Sequence, residues 1–240
     1  PRHPDLALVL FEQLLDGVEV AHGAGVVHRD LKPENILVRS TESGISVAIA
    51  DFGIASLAQP DAARITRTGE RLANVVYAAP EQRRAETQHI DHRVDYFALG
   101  LMLAELVLGK PPLGSAPQLI GAVYPDAAYL DDVVAQLTRD EPAARPASVS
   151  SIRELLRTSR LRASRRRHRD EVVERMCAAL ETEGQPDSLA LKTRLRMALD
   201  LHRGPSDEGE IPLPAVFSNE IGRDADLRFR MLRLAMDCGA

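Results

Sequence analysis

Two short polar motifs, each next to a predicted strand, place the strongest constraint on how this chain can fold. Residues 28–35 read His-Arg-Asp-Leu-Lys-Pro-Glu-Asn, and residues 51–53 read Asp-Phe-Gly. Short apolar runs predict strands at residues 35–38 and 46–50, and the second strand leads directly into the second motif. The near-helical spacing of apolar residues over 5–23 predicts an amphipathic helix. The fold must therefore hold two polar turns beside short strands, with a helix packed under the first turn.

The two motifs resemble the protein kinase family, whose catalytic loop has the pattern H-R-D-L-x-x-x-N and whose metal-binding turn is D-F-G. Two further motifs occur in the family's order: Ala79-Pro80-Glu81 resembles the A-P-E that closes the activation segment, and residues 95–100 resemble the start of the central helix. The resemblance ends near Arg160 and covers about two thirds of the chain. It implies an α+β, protein-kinase-like fold with a mainly helical C-lobe and short β-strands around the catalytic loop and D-F-G turn.

The resemblance also implies a role for each polar residue of the motifs. Asp30 would orient a substrate hydroxyl and accept its proton, mostly by geometry because an ordinary carboxylate is a weak base. Lys32 would meet the γ-phosphate of ATP. Asn35 and Asp51 are hard oxygen ligands from separate turns, which suits a Mg²⁺ ion that bridges phosphates. With Asp30, Lys32 and Asn35 as the catalytic residues, the implied cofactor-binding residues are Lys32, Glu34, Asn35, Leu37 and Asp51.

Three other residues are expected to be structural. In the family, the glutamate at the position of Glu81 pairs with an arginine late in the lobe, and Arg145 lies where that arginine is expected. Asp95 is predicted to be a helix N-cap, an acceptor for catalytic-loop amides, or both.

The sequence says less about which hydroxyl accepts the phosphate and about how the activity is regulated. Lys32 at the second position after Asp30 resembles the serine/threonine branch of the family, so the expected acceptors are Ser or Thr hydroxyls of protein substrates. Thr66 and Thr68 lie among arginines in a long segment, and phosphorylation there would order that segment. Two threonines in a solvated polar loop are an equal alternative. Asn74 departs from the family, which usually has a Thr at that position.

The first residues of the chain depart from the family more strongly. No glycine-rich turn over ATP and no strand lysine precede the helix at residues 5–23. The expectation is therefore a C-lobe without its N-lobe, with little activity as an isolated fragment. Without a covering lobe, Leu37 at the floor of the nucleotide site and Phe52 are expected to be exposed.

Composition favours a cytoplasmic globular protein. The chain is 45% apolar and 27% charged, with a net charge of −5, which gives no clear indication of a nucleic-acid partner. Cys177 and Cys238 are the two cysteines, so no disulfide framework is predicted. No apolar run of about 18 residues predicts a membrane span. The preference for arginine over lysine is typical of a GC-rich bacterial genome.

The remaining periodicity predicts helices at residues 95–108, 128–138 and 148–157. An arginine-rich run at 157–169 is predicted to be a solvated helix end or a linker, although a nucleic-acid or lipid contact stays open. Residues 1–160 thus form the partial kinase domain, and residues 161–240 form a helical extension whose helices offer a possible partner site.

Two functions remain open at this point. One is an ATP- and Mg²⁺-dependent protein serine/threonine kinase, and the other is a kinase-derived scaffold or pseudokinase-like module that binds proteins. Intact Asp30, Lys32, Asn35 and Asp51 favour the enzyme, because a scaffold has no use for polar groups that converge on a phosphate.

Overall fold

The computed structural model describes residues 3–41, 44–52, 76–84, 90–111 and 118–182. The predictions about Thr66, Thr68 and Asn74 lie outside these residues. The chain divides into two compact units, Pro1–Leu161 and Arg162–Ala240, next to the predicted boundary between residues 160 and 161. The described elements are mainly helical with one two-stranded sheet: α1 (Pro4–Gly23), a 3₁₀ turn (Pro33–Asn35), β1 (Ile36–Thr41), β2 (Gly44–Ile49), α2 (Pro80–Arg83), α3 (Arg93–Leu108), α4 (Ile120–Val123), a 3₁₀ turn (Pro125–Ala127), α5 (Tyr129–Leu137), a 3₁₀ turn (Pro142–Ala144) and α6 (Val149–Thr182).

Helix α1 has the amphipathic pattern that its sequence predicts. Pro4 occupies the first turn, where a missing N–H costs nothing, and Asp5 complements the positive end of the helix dipole. One face is buried, and the buried residues recur at helical spacing: Ala7, Leu10, Phe11, Leu14, Leu15, Val18 and Ala21. The predicted helix over residues 5–23 is confirmed.

Strands β1 and β2 form an antiparallel hairpin in which Ile36 is opposite Ile49. The side chain of Gln13, on α1, closes the outer edge of β2. Its Nε2 donates to the carbonyl oxygen of Ile45 at 2.9 Å, and its Oε1 accepts from the backbone N–H of Val47 at 2.8 Å. The amide thus satisfies edge groups that would otherwise lack a strand partner, and it ties α1 to the sheet.

Helix α3 is the central helix of this unit, with 11 of its 16 residues buried. It contacts both α1 and α5. Gly100 permits the close approach of α5, because an added Cβ would lie 2.8 Å from the Cβ of Leu137. The helix ends at Gly109, which has a φ of 76° and donates its N–H to the carbonyl oxygen of Glu105 at 2.7 Å.

Helix α6 is much longer than the helix predicted at residues 148–157. It runs from Val149 to Thr182, and its sequence has neither glycine nor proline to interrupt it. The arginine-rich run, predicted to be a solvated helix end or a linker, is therefore helical, and its described arginines are exposed. Within the described residues, no helix is both long enough and apolar enough to cross a bilayer.

Candidate active site

A buried carboxylate holds the loop of residues 28–35, called the 28–35 loop below. Asp95 is 1% exposed, and its Oδ1 accepts from the backbone N–H of Arg29 at 2.8 Å. Its Oδ2 accepts from the backbone N–H of His28 at 2.9 Å and pairs with Nε2 of His22 at 2.7 Å. The predicted role as an acceptor for loop amides is confirmed. The predicted N-cap role is wrong, because His92 is the N-cap and Asp95 lies in the first turn of α3.

His28 ties the same loop to the end of β2. The ring is fully buried, its Nε2 lies 2.9 Å from the carbonyl oxygen of Ala50, and its Nδ1 accepts from the backbone N–H of Asp30 at 3.3 Å. These partners require the neutral tautomer with the proton on Nε2. The ring also lies 4.9 Å from the ring of Phe52, centroid to centroid. Phe52 is consequently half-buried, and the prediction that it is exposed is wrong.

Arg29 and Asp51 have left-handed backbone conformations, with φ values of 65° and 53°. Among the described residues they are the non-glycine residues with positive φ. Such conformations cost about 1–3 kcal/mol and persist only where the surroundings enforce them. The hydrogen bond from Arg29 to Asp95 supplies one such restraint. Arg29 directly precedes Asp30, a predicted catalytic residue, and Asp51 is itself a predicted metal ligand.

The structure brings Asp30, Lys32 and Asn35 together. Nζ of Lys32 lies 2.9 Å from Oδ2 of Asp30. Nδ2 of Asn35 donates to the carbonyl oxygen of Asp30 at 2.8 Å and lies 3.4 Å from its Oδ2. The Asp30 side chain is 47% exposed, whereas Asn35 is buried. The cluster therefore presents one accessible carboxylate whose orientation is restrained by an ammonium and an amide.

The hairpin register places Asp51 at the same end of the sheet as Asn35. The hydrogen-bond ladder extends one step beyond the Ile36–Ile49 pair, because the N–H of Ala50 donates to the carbonyl oxygen of Asn35 at 2.8 Å. Both amide hydrogens of Asn35 are directed at Asp30, which leaves its amide oxygen as the atom able to ligate a cation. The Asp51 carboxylate is exposed at the neighbouring position. This donor set fits Mg²⁺, which prefers one or two protein oxygens and completes its shell with phosphates and water.

The other predicted cofactor-binding residues lie on the exposed side of the same region. Glu34 is exposed within the 3₁₀ turn that follows Lys32, and Leu37 is 59% exposed on β1. The predicted exposure of Leu37 is therefore confirmed. Leu37 is therefore an exposed apolar side chain on the strand that follows Asn35, and such a side chain can contact a nucleotide base.

Residues 76–84, called the 76–84 segment, are anchored by a buried ion pair. Arg145 donates from Nη1 to Oε1 of Glu81 at 2.6 Å and from Nη2 to Oε2 at 2.8 Å. The guanidinium also lies 5.0 Å from the centre of the Phe97 ring. The predicted pairing of Glu81 with Arg145 is confirmed.

A family model described as the protein kinase domain matches residues 3–165, which is more than half of the 240-residue chain. The chain belongs to the protein kinase family. The predicted fold class is thereby confirmed, with a helical lobe and a two-stranded sheet at the catalytic loop. ATP and Mg²⁺ are typical of kinases in this family.

Two curated bacterial serine/threonine-protein kinases are similar to this chain. The chain is 40% identical to the serine/threonine-protein kinase PkaA of Streptomyces coelicolor over 119 residues, which are 50% of this chain and 21% of that protein. It is 34% identical to the serine/threonine-protein kinase Pkn1 of Myxococcus xanthus over 218 residues, 81% of this chain and 30% of that protein. The chain thus spans between a fifth and a third of the length of these relatives.

A crystal structure of the PknI kinase domain from Mycobacterium tuberculosis, in a single-substitution variant, has a similar fold. It superposes with a TM-score of 0.50 at 26% sequence identity, and the match covers 65% of this chain and 55% of that one. The likeness extends the family assignment from sequence to backbone geometry.

The sequence analysis of this kinase chain did not identify Tyr77 as part of the site region. Its hydroxyl donates to Oε2 of Glu105, on α3. Burial, followed by the bond to Glu105 and the charges of Glu105 and Glu34, raises the pKa of Tyr77 well above its ordinary value. A Tyr four residues before Glu81 and a Glu ten residues after Asp95 carry no local pattern that reveals a contact, because the contact depends on how the segment folds onto α3.

Proposed function

We propose that this chain is the catalytic-loop lobe of a protein serine/threonine kinase that transfers the γ-phosphate of ATP to Ser or Thr hydroxyls of proteins. One observation carries the proposal: Asp30, Lys32 and Asn35 converge within hydrogen-bonding distance, and the hairpin places Asp51 at the same end of the sheet. A structural ion pair alone would account for Asp30 and Lys32. It would not account for two oxygen ligands and a strained backbone beside them.

Asp30 is the group that orients the acceptor hydroxyl. Its carboxylate is accessible, and the bonds from Lys32 and Asn35 limit its rotation. Phosphoryl transfer needs little covalent chemistry from the protein, so a fixed carboxylate contributes mainly by aligning the hydroxyl and by accepting its proton late. Lys32 adds a positive charge next to Asp30, where negative charge on the transferred group needs compensation.

Asn35 and Asp51 are the residues that would hold Mg²⁺, and Leu37 would contact the adenine base. When bound, the ion neutralises phosphate charge and draws the phosphate oxygens into a fixed position. The contributions of this chain are the amide oxygen of Asn35, the carboxylate of Asp51 and the apolar face of β1. Lys32 and Glu34 complete the proposed nucleotide-facing residues.

Serine and threonine are the proposed acceptors for two reasons. Lys32 follows Asp30 by two residues, the spacing that resembles the serine/threonine branch of the family. The curated relatives PkaA and Pkn1 are both described as serine/threonine-protein kinases.

The test uses the complete protein that contains this chain, incubated with γ-labelled ATP, Mg²⁺ and a general protein acceptor. The expected result is label on phosphoserine or phosphothreonine that disappears when Mg²⁺ is chelated. Label on phosphotyrosine alone would overturn the acceptor class. The absence of any Mg²⁺-dependent label, with the protein folded, would favour the scaffold function instead.

A further inference from the structure

We infer that Gln82 is a positioning residue for Asp30, through a hydrogen bond that connects the 76–84 segment to the 28–35 loop. Nε2 of Gln82 donates to the carbonyl oxygen of Arg29 at 2.7 Å, across 53 positions of sequence. The inference rests on the proposed function, since it assigns a role in the same phosphotransfer site. Gln82 belongs to none of the motifs that identify the site.

Both ends of the Gln82 amide have a partner of the opposite kind. Oε1 accepts from the backbone N–H of Ala79 at 2.9 Å, while Nε2 donates to Arg29. Because the atom that Ala79 presents is an N–H donor and the atom that Arg29 presents is a carbonyl acceptor, one orientation of the amide satisfies both bonds. A carboxylate of the same shape would keep the bond from Ala79 and lose the bond to Arg29.

The carbonyl of Arg29 belongs to the peptide unit that leads into Asp30. That unit has two restraints on opposite sides: Gln82 on its C=O at 2.7 Å, and Nδ1 of His28 on its N–H at 3.3 Å. The N–H···O bond from Gln82 is short, whereas the N–H···N bond to His28 is long for a hydrogen bond, so the Gln82 bond is the stronger restraint. Arg29 is also in a left-handed conformation that needs enforcement, and Asp95 holds only its N–H. Loss of the Gln82 bond would leave this peptide held by the weaker bond to His28 alone, so the peptide could rotate and carry the Asp30 side chain with it.

The position of Gln82 in turn depends on the buried ion pair. Gln82 directly follows Glu81, which Arg145 fixes with two bonds. The 76–84 segment therefore reaches the catalytic carboxylate along one continuous path, from Arg145 through Glu81 and Gln82 to the peptide before Asp30. A displacement of this segment by about an ångström would break the 2.7 Å bond and lower turnover without changing any catalytic residue.

Two substitutions separate this role from a role in folding alone. Gln82→Glu keeps the shape and the bond from Ala79 but removes the donor to Arg29. Gln82→Met removes both bonds. Truncation to alanine is less informative, because a cavity of about 20 Å³ lined by Arg29, Asp30 and Gln82 already has room for a water that would replace the lost donor. Gln13→Glu is the matched control, since Gln13 makes the same pair of backbone bonds at the edge of β2.

In the complete protein, we expect Gln82→Glu to lower kcat about tenfold and to leave the KM for ATP nearly unchanged at pH 8. At pH 5.5 roughly a twentieth of a carboxyl with the ordinary pKa of about 4.3 is a neutral O–H donor, so the kcat deficit relative to wild type should shrink by no more than about twofold. Gln82→Met should show a deficit that does not change with pH. Gln13→Glu should lower the melting temperature and leave kcat within about twofold.

Two results would overturn the inference: an unchanged kcat for Gln82→Glu, or a deficit that is the same at every pH and is matched by Gln13→Glu. If wild-type protein shows no phosphotransfer, the proposed function fails separately, and amide hydrogen exchange tests the contact itself. Gln82→Glu should accelerate exchange in the 28–35 loop several-fold relative to wild type and to Gln13→Glu. Equal rates of amide hydrogen exchange in the 28–35 loop of all three proteins would contradict the positioning role of Gln82.

Discussion

Arg145 donates to both carboxylate oxygens of Glu81, and the guanidinium of Arg145 is fully buried. Its other N–H groups also have partners: Nε donates to the carbonyl of Arg139 at 2.8 Å, Nη1 to that of Arg93 at 3.1 Å, and Nη2 to that of Asp140 at 3.2 Å. All five donors of the guanidinium are therefore used. The pair fixes the 76–84 segment to α3 and to the turn before α6.

Arg145→Lys should destabilise the protein strongly, because one ammonium cannot replace five directed donors. We expect the free energy of unfolding to fall by about 3 kcal/mol, measured by urea denaturation. Arg157→Lys is the matched control, since Arg157 pairs with Glu154 on the exposed face of α6 and should change nothing measurable. An equal decrease in the free energy of unfolding in the two variants would show that the buried pair stabilises the protein no more than an exposed pair does.

Asp95→Asn should loosen the 28–35 loop. The introduced amide nitrogen cannot accept, so at least one of the donors from His28, Arg29 and His22 loses its partner while buried. We expect kcat for phosphotransfer to fall about tenfold or more, together with a lower melting temperature. Asp91→Asn is the control, because Oδ1 of Asp91 keeps its bond from the N–H of Arg93 after the change. A fully active Asp95→Asn enzyme would contradict the proposed loop restraint.

Alkaline pH should weaken the fold through two buried tyrosines. Burial, reinforced by the charge of Asp95, raises the pKa of Tyr96 to about 12, and burial and Glu105 raise the pKa of Tyr77 further. Each folded-state pKa exceeds the unfolded value of about 10. The two protonated tyrosines therefore make their full contribution to the free energy of unfolding below pH 10. Above pH 10 it declines by roughly 1.4 kcal/mol per pH unit and per tyrosine until the folded-state pKa is reached.

The measurement is a series of urea denaturation curves between pH 9 and about 12 for wild type, Tyr96→Phe and Tyr77→Phe. Each variant should show a shallower decline than wild type above pH 10, because one titrating group has been removed. Superimposable slopes would show that neither phenol is protected from ionisation by folding.

Asp51→Asn should raise the Mg²⁺ concentration that phosphotransfer requires. The change keeps one oxygen ligand but removes the negative charge that a hard cation favours. We expect the apparent Mg²⁺ constant of the complete protein to increase at least about tenfold, measured by kinase assays at fixed ATP. Asp16→Asn, on the exposed face of α1, is the control for a general loss of negative charge. An unchanged Mg²⁺ requirement would remove Asp51 from the proposed site.

The sequence predicted those features that depend on local pattern. The apolar spacing of α1 located this helix within a few residues because the helix buries one face, and the short apolar runs located the two strands of the hairpin. The pairing of Glu81 with Arg145 was predicted from the family resemblance. The 34-residue length of α6 was missed because a basic run inside a helix looks like a linker when charge is considered before helix propensity.

Contacts between distant segments that no family motif indicates could not be predicted from the sequence. Tyr77 with Glu105 and Gln82 with Arg29 each join parts of the chain that only tertiary packing brings together. The N-cap interpretation of Asp95 failed for the same reason, because three donors from other elements compete for its carboxylate. Phe52 was predicted to be exposed because no covering lobe was found in the sequence, but the ring of His28, which belongs to the other motif, packs against it.

The most direct test of the account is the turnover of Asp30→Asn in the complete protein with saturating ATP and Mg²⁺. The substitution preserves size and leaves the bond from Asn35 to the backbone carbonyl of Asp30 in place, but it removes the carboxylate that orients the hydroxyl. We predict that kcat falls about a hundredfold or more while the melting temperature stays near that of wild type. A folded Asp30→Asn protein that phosphorylates Ser or Thr at the wild-type rate would contradict the central claim.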